Sequence, residues 1–297
     1  MATKLERPES PLVIIAGPTA SGKTSLAVRL AQQYGGEIIC ADSRTIYRGM
    51  DIGTAKPTAE EQAAVPHWGL DLVEPGDVFT VADFKNYALE KIADIRRRGR
   101  IPFLVGGTGL YIDAVLFDFQ FGPAANPEQR SQLESKSVEE LHNYCKENNI
   151  ELPENSKNKR HLIRAIERKN ISVMRSKFPS DNSYVVGIAT ELKILRVRIE
   201  SRAEQLFTNG VVEEAIILGK KYGWESEAMT GNIYPLVHKF ITGQIDEKAL
   251  RANFATSDWR LAKRQLTWLR RNEYICWADL PSAEQYLSTN LATRLGL

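Results

Sequence analysis

Cysteine is scarce in this chain of 297 residues: Cys40, Cys145 and Cys276 lie far apart, and no pair has C-x-x-C spacing. That excludes a disulfide framework and a zinc site readable from spacing, and it suits a reducing compartment. Long apolar runs are missing too. No window approaches the ~18 uninterrupted apolar residues of a membrane-crossing helix, and the polar residues 1–10 lack the apolar stretch of a signal peptide. The expectation is a soluble, cytoplasmic protein. Charge of one sign is also lacking. The formal net charge is +2, so any nucleic-acid surface has to be local. What remains, 43% hydrophobic and 26% charged residues, is an ordinary globular composition, enough for one large domain or one domain carrying an insertion.

Against that background one stretch stands out. Leu12-Val-Ile-Ile-Ala16 is a continuous apolar run, as expected of a strand buried on both faces. Gly17-Pro-Thr-Ala-Ser-Gly-Lys-Thr24 follows it and fits the phosphate-loop pattern G-x-x-x-x-G-K-[ST], and a helical pattern (Leu26, Ala27, Leu30, Ala31) comes next. Glycines let backbone N–H groups turn inward around phosphate oxygens, and the helix points its positive dipole end at the same anion. Gly17, Pro18, Thr19, Ala20, Ser21 and Gly22 therefore form a predicted anion cradle. Lys23 supplies a compact positive charge, and the Thr24 hydroxyl is placed to ligate Mg²⁺. The loop names the anion, not the reaction.

Further along, Glu37-Ile-Ile-Cys-Ala-Asp42 reads as a second buried strand ending in an acid. Ligands gather at the carboxyl ends of strands in open α/β sheets, so Asp42 is expected to face the phosphate loop; capping a turn is its plainer alternative. Residues 43–58 are a long polar loop, a length that usually carries function. Residues 101–105 form a third buried strand, followed by Gly106-Gly107-Thr108-Gly109, and residues 184–189 look like a return strand. Alternating strands and helices indicate a P-loop NTPase-like α/β fold: a parallel sheet flanked by helices, with a small helical insertion domain. The expected division is residues 1–120 as the first part of the core and 121–182 as the insertion. Residues 183–297 form the second part, ending in a basic helix. In the insertion, 138–145 and 160–168 look helical. Residues 194–221 read as one helix, and the arginines of Arg96-Arg97-Arg98-Gly99 as structural, closing a helix.

The segment from Trp259 to Arg271 completes the reading. At ~100° per residue, Arg260, Arg264, Thr267 and Arg271 share one stripe flanked by Lys263 and Arg270. Leu261, Ala262, Leu266, Trp268 and Leu269 are then expected to face the core. A basic face without acids suits phosphates, of a small ligand or of a nucleic-acid backbone.

Several segments in order extend the picture: Gly17-Pro-Thr-Ala-Ser-Gly-Lys-Thr24, Asp42-Ser43, Met50-Asp-Ile-Gly-Thr-Ala-Lys-Pro57, Pro66-His67, Val81-Ala-Asp-Phe84, Leu104-Val-Gly-Gly-Thr-Gly-Leu-Tyr111, Arg164-Ala-Ile-Glu167 and Ala262-Lys-Arg-Gln-Leu-Thr-Trp268. Together, over residues 12–277, they resemble the tRNA dimethylallyltransferase (tRNA isopentenyltransferase) family. The resemblance implies transfer of a dimethylallyl group from dimethylallyl diphosphate to N6 of adenosine 37 in tRNA. It gives Asp42 the part of general base, and it brings Arg202 to the diphosphate beside Lys23 and Mg²⁺ on Thr24. It carries tRNA contacts to Asp42, Ser43, Arg44, Thr45, Thr108, Arg130, Arg160, His161 and Arg164. The basic face of Arg260, Lys263, Arg264 and Arg271 would follow the anticodon stem. The chain departs from the family pattern at Trp68, His161, Gly231-Asn232 and Ser257-Asp258. An enzyme prenylating free adenylate and a P-loop small-molecule kinase are the alternatives. A monomer is expected, for want of heptads or an exposed apolar strand edge.

Overall fold

The computed structural model describes residues 9–122, 126–169, 174–179 and 182–296. They divide into two compact units, residues 117–177 and the chain on either side of them. The larger unit opens with β1 (Leu12–Ala16), α1 (Lys23–Tyr34), β2 (Gly36–Ala41), α2 (Ala59–Ala64), β3 (His67–Trp68), α3 (Val81–Arg97), β4 (Ile101–Gly106) and α4 (Gly109–Leu116). The smaller unit holds α5 (Pro127–Ser135), α6 (Val138–Glu147) and α7 (Lys159–Arg168). The larger unit resumes with β5 (Ser183–Ile188), α8 (Leu192–Thr208), α9 (Val211–Tyr222), α10 (Tyr234–Ile241), α11 (Glu247–Leu269), β6 (Cys276–Ala278) and α12 (Leu280–Leu295).

The strands form one sheet in the order β3-β2-β4-β1-β5-β6, every neighbouring pair parallel. β1 lies inside it: Ile14 pairs with Leu104 on one side and Val185 on the other. Helices cover both faces, so β1, β2 and β4 are buried at every position and read as largely apolar runs, the charged exception being Glu37 of β2. Leu26 and Leu30 of α1 pack with Leu287 and Leu291 of α12 in the core that includes Val13 and Phe103. Burying each such side chain stabilises the fold by ~1.5–3 kcal/mol. A second core gathers Ile46, Tyr47 and Met50, from the loop after β2, with Val211, Ala215, Tyr234, Val237 and Phe254 of α9, α10 and α11. That loop is thus anchored from below by its own apolar residues.

Two features differ from the sequence-based expectation. Residues 194–221 are two helices, α8 and α9, because the chain breaks at Asn209-Gly210, where Gly210 has a φ of 91°. The sheet also has two edge strands, β3 and β6, of 2 and 3 residues. Both are too short to show a period, and their neighbours in the sheet, not their own sequence, make them strands. The Arg96–Arg98 region behaves as read. Arg98 pairs with the buried Glu37 and with Asp94, and Arg96 donates to the Ser10 carbonyl at 2.9 Å. In the smaller unit Leu133, Leu141, Cys145, Leu162, Ile163 and Ile166 form a core of their own. A capping box at Ser137 and Glu140 starts α6.

Candidate functional site

The turn after β1 carries the cradle. Ala20 and Gly22 sit at φ of 61° and 88°, left-handed conformations that wrap the loop before α1 begins at Lys23. Gly17 N–H donates to the Gly106 carbonyl at 3.2 Å, fastening the loop to the end of β4. The first-turn N–H groups of α1 point out of its N-terminus, where an anion is favoured. Lys23 Nζ donates to the Pro18 carbonyl at 3.2 Å. Burial lowers the Lys23 pKa to about 8; the Arg202 guanidinium pushes the same way and the Asp42 carboxylate opposes both. Lys23 therefore stays protonated at neutral pH but is poised to gain from an incoming anion.

Arg202 comes from α8, and its Nη1 donates to the Thr19 hydroxyl. Arg202 Nε and Ser21 Oγ, both at this loop, are buried and have no hydrogen-bond partner. Orphaned buried polar atoms are costly unless a ligand or water completes them. Arg198, one turn earlier on α8, donates to the Ser21 carbonyl at 3.4 Å.

Asp42 follows β2, with β4 standing between that strand and β1. Its carboxylate still acts on Lys23. The intervening strand ends in Gly106 and Gly107, and a Cβ at Gly106 would lie 2.0 Å from the Ala41 carbonyl oxygen. Glycine at 106 thus lets β4 lie close against the end of β2, next to Asp42. Asp42 Oδ1 also accepts the Arg44 N–H at 2.8 Å, so the turn-capping alternative is met by the same side chain. Ser43 N–H donates to the Thr108 hydroxyl at 3.1 Å. Thr45 is buried and its hydroxyl lacks a partner. Arg44 reaches sideways, donating to the Glu227 carbonyl at 3.1 Å and the Thr230 hydroxyl at 3.2 Å.

The loop after Asp42 is held by two charged side chains that sequence reasoning did not single out for the site. Lys56, its side chain 4% exposed, donates to Tyr47 O, Asp51 Oδ1 and Asp71 Oδ1 at 2.7, 2.7 and 2.6 Å. From α9, Glu214 accepts the N–H groups of Asp51, Ile52 and Gly53 at 2.8, 2.7 and 2.8 Å, and the Tyr234 hydroxyl at 3.0 Å. The Lys56 position was visible inside its motif; Glu214 sits in an ordinary helical pattern and gave no signal.

On α11, Arg260, Lys263 and Arg264 are exposed, and so is Arg271 just beyond it, as the helical stripe implied. Trp268 corrects that reading. It is 39% exposed instead of facing the core, since its ring lies close against Gly109 and its indole N–H reaches Asp113 Oδ2 at 2.8 Å. Leu261 is only half-buried. Deeper on α11 the buried Asp258 accepts from Asn232 Nδ2 at 2.8 Å, so these two departures from the family pattern are partners. Burial raises the Asp258 pKa, against the pull of Arg202 and the Asn232 bond.

The remaining RNA candidates lie in the smaller unit. Arg130 and Arg164 share Glu167, at 3.6 and 2.7 Å, while Arg160 and His161 are exposed at the start of α7. Within the larger unit, Lys23, Thr24, Arg202, Asp42, Ser43 and Thr108 are brought together around the ends of β1, β2 and β4. Among the described residues no three His, Cys, Asp or Glu side chains cluster as a metal cage. A Mg²⁺ that shares a substrate's phosphates needs no such cage, and the Thr24 hydroxyl at the start of α1 is the kind of oxygen donor it takes.

This arrangement belongs to the P-loop NTPase-like class of α/β folds, which take their ligands at the carboxyl ends of the sheet strands. Comparison with known proteins narrows the class. The family model described as IPP transferase matches residues 45–272, and that described as isopentenyl transferase matches 10–68. The chain belongs to the tRNA dimethylallyltransferase family of IPP transferases. It is 40% identical to the tRNA dimethylallyltransferase of Roseiflexus, over 94% of this chain and 97% of that one. A solved tRNA isopentenylpyrophosphate transferase from Bacillus halodurans is 34% identical, with a TM-score of 0.73, covering 97% of this chain and 99% of its own. Its counterpart from Staphylococcus epidermidis is 29% identical with a TM-score of 0.72, covering 96% and 100%.

Proposed function

We propose that this protein transfers the dimethylallyl group of dimethylallyl diphosphate to N6 of adenosine 37 in tRNA, releasing diphosphate. The observation that carries the reading is the meeting of an anion cradle and a carboxylate. Lys23 and Arg202 converge on the loop with unpartnered buried donors beside them, and Asp42 stands close enough to act on Lys23. The loop N–H groups, Lys23 and Arg202 bind the diphosphate and stabilise the charge that grows on it as the bond from C1 to oxygen breaks. The Thr24 hydroxyl would hold Mg²⁺, which would supply further neutralisation of the charge on the leaving group. The N6 amine bonds to C1, and its proton passes to Asp42, since an exocyclic adenine amine is too weak a base to react unaided.

The adenine has to leave its stack to react. Ser43, Arg44, Thr45 and Thr108 adjoin Asp42 and are assigned to the tRNA. So are Arg130, Arg160, His161 and Arg164 of the smaller unit, and the exposed face of Arg260, Lys263, Arg264 and Arg271. No helix among the described residues is long and apolar enough to cross a membrane. Incubation with dimethylallyl diphosphate and unmodified tRNA, followed by nucleoside analysis, is expected to yield N6-isopentenyladenosine. Prenylation of AMP with tRNA left untouched would refute the proposal in favour of an adenylate enzyme, and ADP formed from ATP in favour of a kinase.

A further inference from the structure

Gln265 lies on the inward side of α11, two residues from Lys263 of the exposed basic face, and its carboxamide reaches the tip of the phosphate loop. Its Oε1 accepts the Thr19 N–H at 2.8 Å. Opposite stands Gly107, where a Cβ would come within 2.4 Å of Gln265 Nε2 and 3.0 Å of the Gly17 carbonyl oxygen. The carboxamide therefore occupies the space between the turn after β1 and the turn after β4, and glycine at 107 makes room for it.

Thr19 is 7% exposed, its hydroxyl engaged by Arg202 and its N–H by Gln265. Ala20 comes next at a φ of 61°, packed against a cluster to which α11 contributes Ala262 and Leu266. A residue with a Cβ persists in that left-handed conformation where its surroundings hold it there. The hydrogen bond from Thr19 and the contact at Ala20 are what α11 supplies.

We propose that Gln265 is a positioning residue for the diphosphate site. By accepting the Thr19 N–H it holds the loop tip in shape, so that the Thr19–Arg202 contact is in place before the anion arrives. The inference rests on the diphosphate reading given above. It differs from simple docking of α11, which Trp268 and Asn272 perform through Asp113, at 2.8 and 3.0 Å.

Gln265→Met keeps length and volume but removes the acceptor, leaving a buried donor unpaired. The dissociation constant for inorganic diphosphate, by titration calorimetry, is expected to rise about tenfold. Exchange of the Thr19 amide hydrogen is expected to accelerate at least as much, with β1 and β4 amides unchanged. Gln265→Glu retains an acceptor oxygen and is expected to keep Thr19 protected. Trp268→Phe removes the bond to Asp113 from the same helix and is expected to bind diphosphate as the parent does. Unchanged diphosphate affinity in Gln265→Met, loss of Thr19 protection in Gln265→Glu, or an equal affinity loss in Trp268→Phe each overturns the proposal. A parent protein that fails to bind diphosphate overturns the diphosphate reading instead. The exchange measurement, which needs no ligand, still decides what Gln265 does.

Discussion

Replacing Asp42 with asparagine separates proton transfer from everything else this side chain does. The asparagine carbonyl oxygen can still accept the Arg44 N–H that Asp42 Oδ1 accepts at 2.8 Å, so the turn into the loop is preserved. The carboxylate's other structural effect is on Lys23, whose pKa of about 8 it helps to hold up. Without it that pKa falls further, so the comparison belongs at the acidic end of the assay range, at about pH 6.5, where Lys23 loses least of its charge. Diphosphate affinity there is expected to stay within about threefold, because one nearby negative charge is lost while the cations are kept. A general base contributes about 10²–10⁴ in rate, and the turnover step is expected to fall by roughly 10³, or ~4 kcal/mol in the barrier. Single-turnover transfer to saturating tRNA measures the step, with calorimetric titration of diphosphate alongside. A variant that keeps more than about a tenth of the parent rate would show that the amine's proton leaves by another route.

Three other outcomes follow from the same contacts. Diphosphate affinity is expected to decline as pH rises through about 8, where Lys23 loses its proton, and the free protein to gain stability from there toward 10.5, because the unfolded chain still binds the proton that the folded one has released; a flat affinity between pH 7 and 9.5 would count against Lys23 as an anion ligand. Glu214→Ala strips the acceptor from three loop N–H groups. It should cost about 2 kcal/mol in urea unfolding, discounted because water reaches the half-buried site, and should speed amide exchange at Asp51, Ile52 and Gly53; protection left intact there would contradict the anchoring account. Arg264→Ala should weaken tRNA binding and reduce the slope of log affinity against log salt by just under one, leaving diphosphate affinity alone; an unchanged slope would take that arginine off the RNA backbone.

The strands buried on both faces and the phosphate loop could be read from residue order, because each is a local matter. An apolar run must be buried, a glycine pattern must turn, and an acid at a strand end must stand at the ligand edge of the sheet. Trp268 was misplaced because a helical wheel sees one helix. Its apolar ring suggested the core, whereas Gly109 and Asp113 hold it at the surface. Glu214 was missed, and Gln265 given no role although it lies inside a quoted segment, for a related reason. Each acts on backbone N–H groups far away in sequence, and backbone groups leave no signature in the side-chain pattern.

By itself, then, the order of residues determined the parallel α/β architecture, the cradle, Asp42 at its strand end and the basic stripe on α11. Tertiary structure alone decided that Arg202 of α8 would meet the loop at the Thr19 hydroxyl, and that α9 and α11 would lend Glu214 and Gln265 to the two loops. Periodicity and motif are set by neighbours along the chain. The convergence of charges and hydrogen bonds is set by how the sheet stacks its strands and where the helices come to rest upon it.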